Sequence, residues 1–220
     1  MIDRQRYSER LQHNFHELNH EERILYNRKD RIRFTDKEQF FFEGCLDIPG
    51  QMYRADRRGL YDAIIKYEPR HCFEIGTGSG GGSTFFLASA FAELGQGKVY
   101  TLEIDKSNTA LRNYQMFLSN LLPFVEFVTG DSPSLFLPFI DDSVDCVFLD
   151  GAEDRQQTLD QYEFFKPYFR PGSILMAHDW NTAKMELLKP VLENSPDWEI
   201  EVELGQPESV GFVVARYQYD

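Results

Sequence analysis

Cysteine is scarce in this chain of 220 residues, which has only Cys45, Cys72 and Cys146. An odd set of three cannot complete a disulfide framework, and Cys72 and Cys146 sit in apolar runs where a thiol behaves as a small hydrophobe. A reducing cytoplasm is the expected setting. Cation is also short: 23 Lys and Arg stand against 36 Asp and Glu, for a formal net charge of −13. Nucleic acid and anionic lipid are bound through clustered cation, so this balance excludes both as main partners and favours a small-molecule substrate. No apolar stretch approaches the roughly 20 residues of a membrane span. The opening MIDRQRYSERLQHNF has no apolar h-region, so neither export nor anchoring is expected. Internal repeats and low-complexity tracts are absent as well.

What is present begins with enough apolar residues, 42% of the chain, to bury one substantial core. Residues 1–50 read as an appended arm. Arg4, Arg6, Arg10, Arg23, Arg28, Lys29, Arg31 and Arg33 concentrate its charge, and Phe40, Phe41 and Phe42 precede Pro49-Gly50. Such an arm either packs on the body, covers an acceptor pocket or forms a homodimer contact.

Residues 51–220 are regular. A helix with Tyr53, Leu60, Ile64 and Tyr67 on one face stops at Pro69. Strand and helix then alternate. HCFEIG, KVYTLEI, FVEFVT, VDCVFLD and SILMAH are short apolar runs, the last two nearly unbroken, as in strands buried on both faces. Helical spacing follows at Leu87, Ala90, Phe91 and Leu94, and at Leu111, Tyr114, Leu118 and Leu121. It recurs at Leu159, Tyr162 and Phe169 before Arg170-Pro171-Gly172, and at Met185, Leu188 and Leu192. WEIEVEL and VGFVVARY alternate with period two around a short turn, the pattern of an antiparallel hairpin. The expected fold is therefore α/β: a doubly wound, mostly parallel sheet of seven strands ending in that hairpin. Such sheets bind ligands beyond the carboxyl ends of their strands, where strand order reverses.

The candidate chemistry lies at those ends. After the first strand, Glu74 leads into Ile75-Gly76-Thr77-Gly78-Ser79-Gly80, a loop that turns sharply and brings amides close to a ligand at a helix N-terminus. A carboxylate just before the glycines suits a ligand carrying ammonium or sulfonium better than pyrophosphate. Glu103 at the end of the second strand can accept both ribose hydroxyls of a nucleoside, while Asp105 reads as the N-cap of the next helix. Asp131 either takes an adenine amino group or caps a helix. Ile104 and Ser132 flank these acids and complete the candidate cofactor-binding set with Asp150. Asp150 ends a fourth strand too apolar for an idle acid, and His178-Asp179 ends the fifth. Together Asp150, His178 and Asp179 can hold one divalent cation; alternatively His178 satisfies a backbone group and Asp179 caps a helix.

From Met52 onward this series resembles the class I S-adenosylmethionine (SAM)-dependent methyltransferases. The motifs carrying the resemblance are the glycine-loop acid, the ribose acid, Gly130-Asp131 and Phe148-Leu149-Asp150-Gly151. The Leu149-Asp150-Gly151 and Pro171-Gly172-Ser173 to His178-Asp179 motifs are similar to the small-molecule O-methyltransferase branch. The resemblance implies a Rossmann-like fold, SAM as cofactor, a small acceptor methylated on a hydroxyl oxygen, and a magnesium-type ion on Asp150 and the fifth-strand pair. This chain departs from that branch in two places: His178-Asp179 replaces an Asp-Asn or Asp-Asp pair, and Glu153 replaces the branch's catalytic lysine. Catalysis then falls to Asp150 and His178. His178 or a metal-bound oxygen takes the acceptor proton, or the acceptor needs little activation, or the metal has been lost. Two rival readings share the glycine loop. One is a nicotinamide-dependent oxidoreductase, which leaves Glu74, Asp131 and Asp150 without a role; the other is a non-catalytic assembly domain.

Overall fold

The computed structural model describes residues 52–78, 82–109, 116, 120–206 and 209–219. The arm, with Phe40 to Phe42 and Cys45, lies outside the described residues, as do Ser79, Gly80 and most of the helix expected around Leu111 to Leu118.

Helix α1 (Arg54–Tyr67) precedes β1 (His71–Ile75), α2 (Gly82–Leu94), β2 (Lys98–Glu103), β3 (Val125–Thr129) and β4 (Val144–Leu149). Then follow α3 (Arg155–Phe165), β5 (Phe169–His178), α4 (Leu188–Glu193), β6 (Trp198–Leu204) and β7 (Phe212–Tyr217). The sheet runs β3-β2-β1-β4-β5-β7-β6, parallel through β5, with β7 antiparallel to both β5 and β6. The expected mixed sheet of seven strands is present, and the terminal hairpin joins it through its second strand.

Alternation along each strand divides the core in two. Cys72, Cys146, Phe148, Ile174 and Met176 face α1 and α2. Phe73, Ile75, Val147, Leu149 and Leu175 belong to the opposite layer, with Tyr162 and Phe165 of α3. Cys72 and Cys146 pair in register with their sulfurs 3.2 Å apart, free and fully buried, as small apolar residues would be.

Helix α2 is buried on nearly every side over Gly82 to Phe91, which removes the one-sided pattern of a surface helix. One expectation needs correcting. Phe169 belongs to β5 rather than to the preceding helix: Pro167 supports a 3-10 turn over Lys166–Tyr168, and the chain enters the sheet at Phe169. Arg170-Pro171-Gly172 consequently lies inside β5, where the register against β4 shifts.

After β1 the chain winds outward through β2 and β3, then returns to β4 and β5 on the other side of β1. The reversal lies between β1 and β4. There the two loops cross so tightly that a methyl group on Gly76 would meet the Gly151 Cα at 2.5 Å. Gly76 also has φ +97°, a second reason for glycine at that position.

Candidate active site

A cleft of about 1350 Å³ opens at this reversal, over the carboxyl ends of the central strands. On the β1–β2 side, Glu103 is nearly buried. Its Oε2 accepts the Gly78 amide at 2.7 Å and its Oε1 accepts the Asp105 amide at 2.9 Å. These two bonds fix the carboxylate in the cleft wall and leave further lone pairs for hydroxyl donors. Ile104 beside it is 71% exposed, an apolar side chain held at the rim of a polar cleft. Asp105 caps the following turn by accepting both the Ser107 amide and hydroxyl, which lowers its pKa. After β3, Ser132 accepts from the Ser134 amide as N-cap, so Asp131 is released from capping and lines the cleft.

Glu74 sits elsewhere. Alternation puts it on the same face as Cys72, fully buried beneath the loop, where Thr84 of α2 donates to its Oε2 at 2.5 Å. Burial pushes its pKa up to about 7 against the hydrogen bonds of Ser83, Thr101 and Thr84. It braces the loop from below and is absent from the cleft lining, contrary to the expectation that it faces a cationic ligand.

The other half of the cleft carries a cluster of charged groups. His178 donates from Nε2 to Asp56 Oδ2 at 3.1 Å and from Nδ1 to Asp150 Oδ1 at 3.3 Å, with Asp179 Oδ1 at 3.6 Å. Burial alone would lower its pKa, but Asp150 and Asp56 outweigh burial and raise it to about 10, so the ring is an imidazolium. Asp56 comes from the first turn of α1, where the same Oδ2 accepts the Tyr53 amide at 3.2 Å. Lys184 lies across the cluster. Its Nζ donates to the Asp150 carbonyl at 3.1 Å, to Asp150 Oδ1 at 3.2 Å and to Asp179 Oδ2 at 3.0 Å. Three carboxylates thus enclose two cations. Asp179 holds φ +60°, and its carbonyl accepts from the Thr182 amide and hydroxyl, closing the turn that returns Lys184 to the cluster.

The sequence profile of a methyltransferase domain matches residues 73–180, the stretch from β1 through β5 that builds this cleft. The chain carries a methyltransferase domain. Among solved structures, an O-methyltransferase from Bacillus cereus in complex with SAH, the demethylated product of SAM, is similar at 20% identity. The match covers 89% of this chain and 97% of that one, with a TM-score of 0.64. The O-methyltransferase TomG from Streptomyces achromogenes, solved with SAM, matches at 17% identity over 92% of this chain and all of that one, with a TM-score of 0.63. A methyltransferase from Geobacter sulfurreducens reaches a TM-score of 0.65 at 16% identity, over 90% and 97% of the two chains. No curated protein matches the sequence.

Within the methyltransferase domain, Gly76, Thr77, Gly78, Glu103, Ile104, Asp131, Asp150, His178 and Asp179 all line the cleft. Thr77 is pinned by its amide to the Leu102 carbonyl at 3.2 Å and by its hydroxyl to Thr101. Ser132 only caps its turn, Glu74 lies below, and Ser79 and Gly80 fall outside the described residues. His178, expected as a candidate general base, has both ring nitrogens engaged, Nε2 by Asp56 and Nδ1 by Asp150. Sequence reasoning missed Asp56 and Lys184. Glu153 occupies the position of the branch's lysine, and nothing in the sequence marks Lys184, five residues beyond Asp179, as a neighbour of Asp150 and Asp179 in space.

Proposed function

We propose that this methyltransferase transfers the methyl group of SAM to an oxygen of a small-molecule acceptor. The observation carrying the proposal is Glu103, a nearly buried carboxylate held by the Gly78 and Asp105 amides in the wall of the cleft. That geometry suits two ribose hydroxyls. Ile104 offers an apolar face to adenine, and Asp131 is available for its amino group. SAM supplies a methyl already activated by sulfonium charge. The chain therefore has to align, shield and accept a proton, without building a strong nucleophile.

The loop amides after β1 and the Glu103 side of the cleft hold the donor. Asp150 lies between the two halves of the cleft, bound on its far side by His178 and Lys184. Asp150 and Asp179 are the groups at the acceptor end that can orient a hydroxyl and take its hydrogen bond. His178 acts through them as a positioning residue: its two donated bonds clamp Asp150 to Asp56. O-methyltransferases of similar fold solved with SAH and with SAM support SAM as the donor.

Calorimetric titration with SAH tests the reading. Wild type is expected to bind in the micromolar range, and Glu103→Ala to weaken binding by at least about tenfold, or 1.4 kcal/mol. Unchanged affinity in a folded Glu103→Ala variant, or binding of a dinucleotide in place of SAH, would overturn it.

A further inference from the structure

Resemblance to metal-assisted O-methyltransferases implies a divalent cation on Asp150, His178 and Asp179, and the side chains themselves test that expectation. One ligand atom from each lies within 4.8 Å of the others, so the donors do converge. The ring nitrogens and the carboxylate oxygens that face one another, however, already have partners. His178 directs both ring nitrogens at carboxylates, Nε2 at Asp56 and Nδ1 at Asp150, leaving none for a metal. The position between Asp150 and Asp179 holds the Lys184 ammonium, which has three hydrogens to donate and meets three acceptors at 3.0 to 3.2 Å. Only 12% of the Lys184 side chain is exposed, so these bonds are not those of a solvated surface lysine. A divalent ion held at about 2.0–2.6 Å by these two carboxylates would sit beside a fixed positive charge and without the imidazole.

We propose that Lys184 is the resident cation of the acceptor end, built into the chain where a divalent metal would otherwise sit, and that the site works without a metal ion. The ammonium offsets one of the two negative charges of Asp150 and Asp179 and bridges them. With all three hydrogens engaged it offers no open coordination position, so the acceptor needs no chelating pair of neighbouring oxygens. A single hydroxyl in front of Asp150 and Asp179 suffices. Lys184 is thereby a positioning residue that acts through the two carboxylates. Its catalytic consequence rests on reading the cleft as the methyl-transfer site; the occupancy of the site by lysine does not.

The test is Mn2+ binding by the full chain without SAH, followed by electron paramagnetic resonance, so its result stands whatever SAH titration gives. Wild type is expected to bind no Mn2+ that Asp150→Asn removes. Lys184→Met, and independently Lys184→Gln, are expected to tighten Mn2+ binding at least tenfold, and adding Asp150→Asn should abolish that gain. Stoichiometric Mn2+ binding by wild type that disappears in Asp150→Asn overturns the proposal. So does the absence of any gain in whichever Lys184 variant keeps the wild-type circular dichroism spectrum.

Discussion

His178 is held from both sides, and that arrangement has a consequence for pH. Its folded pKa, raised to about 10, lies above the ordinary value near 6.5. The stabilisation from its ion pairs is therefore complete below about pH 6.5 and is lost as pH rises through about 10. Nitrogen NMR of the ring should show both nitrogens protonated at pH 8. Replacing His178 with Ala strands Asp56 and Asp150 beside each other and is expected to cost about 3–5 kcal/mol in urea unfolding at neutral pH. Glu74 obeys the same sign for a different reason. Burial raises its carboxyl from 4.5 to about 7, so the folded state holds the proton more tightly and stability falls as pH rises between those values. Glu74→Gln should remove that slope and stabilise the protein above pH 7 by up to about 3 kcal/mol. At this scale the sequence was partly legible. Glu103, Asp150 and Asp179 were visible because carboxylates at the ends of apolar strands are unusual. Asp56 and Lys184 were not, because α1 packs 122 positions from His178 in sequence and Lys184 returns through a left-handed Asp179 that no local pattern announces. Glu74 was placed correctly in the sequence and wrongly in space: the alternation that buries Cys72 also turns Glu74 away from the cleft.

Among the elements, the β1 and β4 loops depend on one close approach. Gly76→Ala adds a methyl at 2.5 Å from the Gly151 Cα in a backbone with φ +97°. The expected cost is about 2–5 kcal/mol, combining backbone strain with overpacking. Thermal unfolding measures it, and SAH affinity should fall with it because the same loop carries Thr77 and Gly78. Gly151→Ala should behave alike, its added carbon meeting the Gly76 amide nitrogen at 2.8 Å. Glycine in this motif therefore serves the crossing of two loops at least as much as contact with a ligand. The strands themselves were readable from their apolar runs. What periodicity could not show was that Phe169 leaves the helix: an apolar residue at helical spacing looks the same whether its backbone is helical or extended, and Pro167 decides the matter.

For the molecule as a whole, alternating strands and helices implied a parallel sheet and a ligand crevice at its reversal, and both are present. The strand order was beyond reach, since pairing β1 with β4 and inserting β7 between β5 and β6 depends on contacts distant in sequence. Among the described residues no helix is long and apolar enough to cross a membrane. The charge cluster shows how the fold assembles a site from distant elements: Asp56 from α1, Asp150 just after β4, His178 at the end of β5, and Asp179 and Lys184 from the turn beyond it. On the proposed reading, the cleft between β1 and β4 holds SAM by Glu103 and presents its methyl toward Asp150. A crystal structure of the protein with SAH tests it most directly. Both ribose hydroxyls are expected on the Glu103 carboxylate, adenine against Ile104 and the sulfur directed toward Asp150; SAH seated outside this cleft, or with its ribose away from Glu103, would overturn that reading.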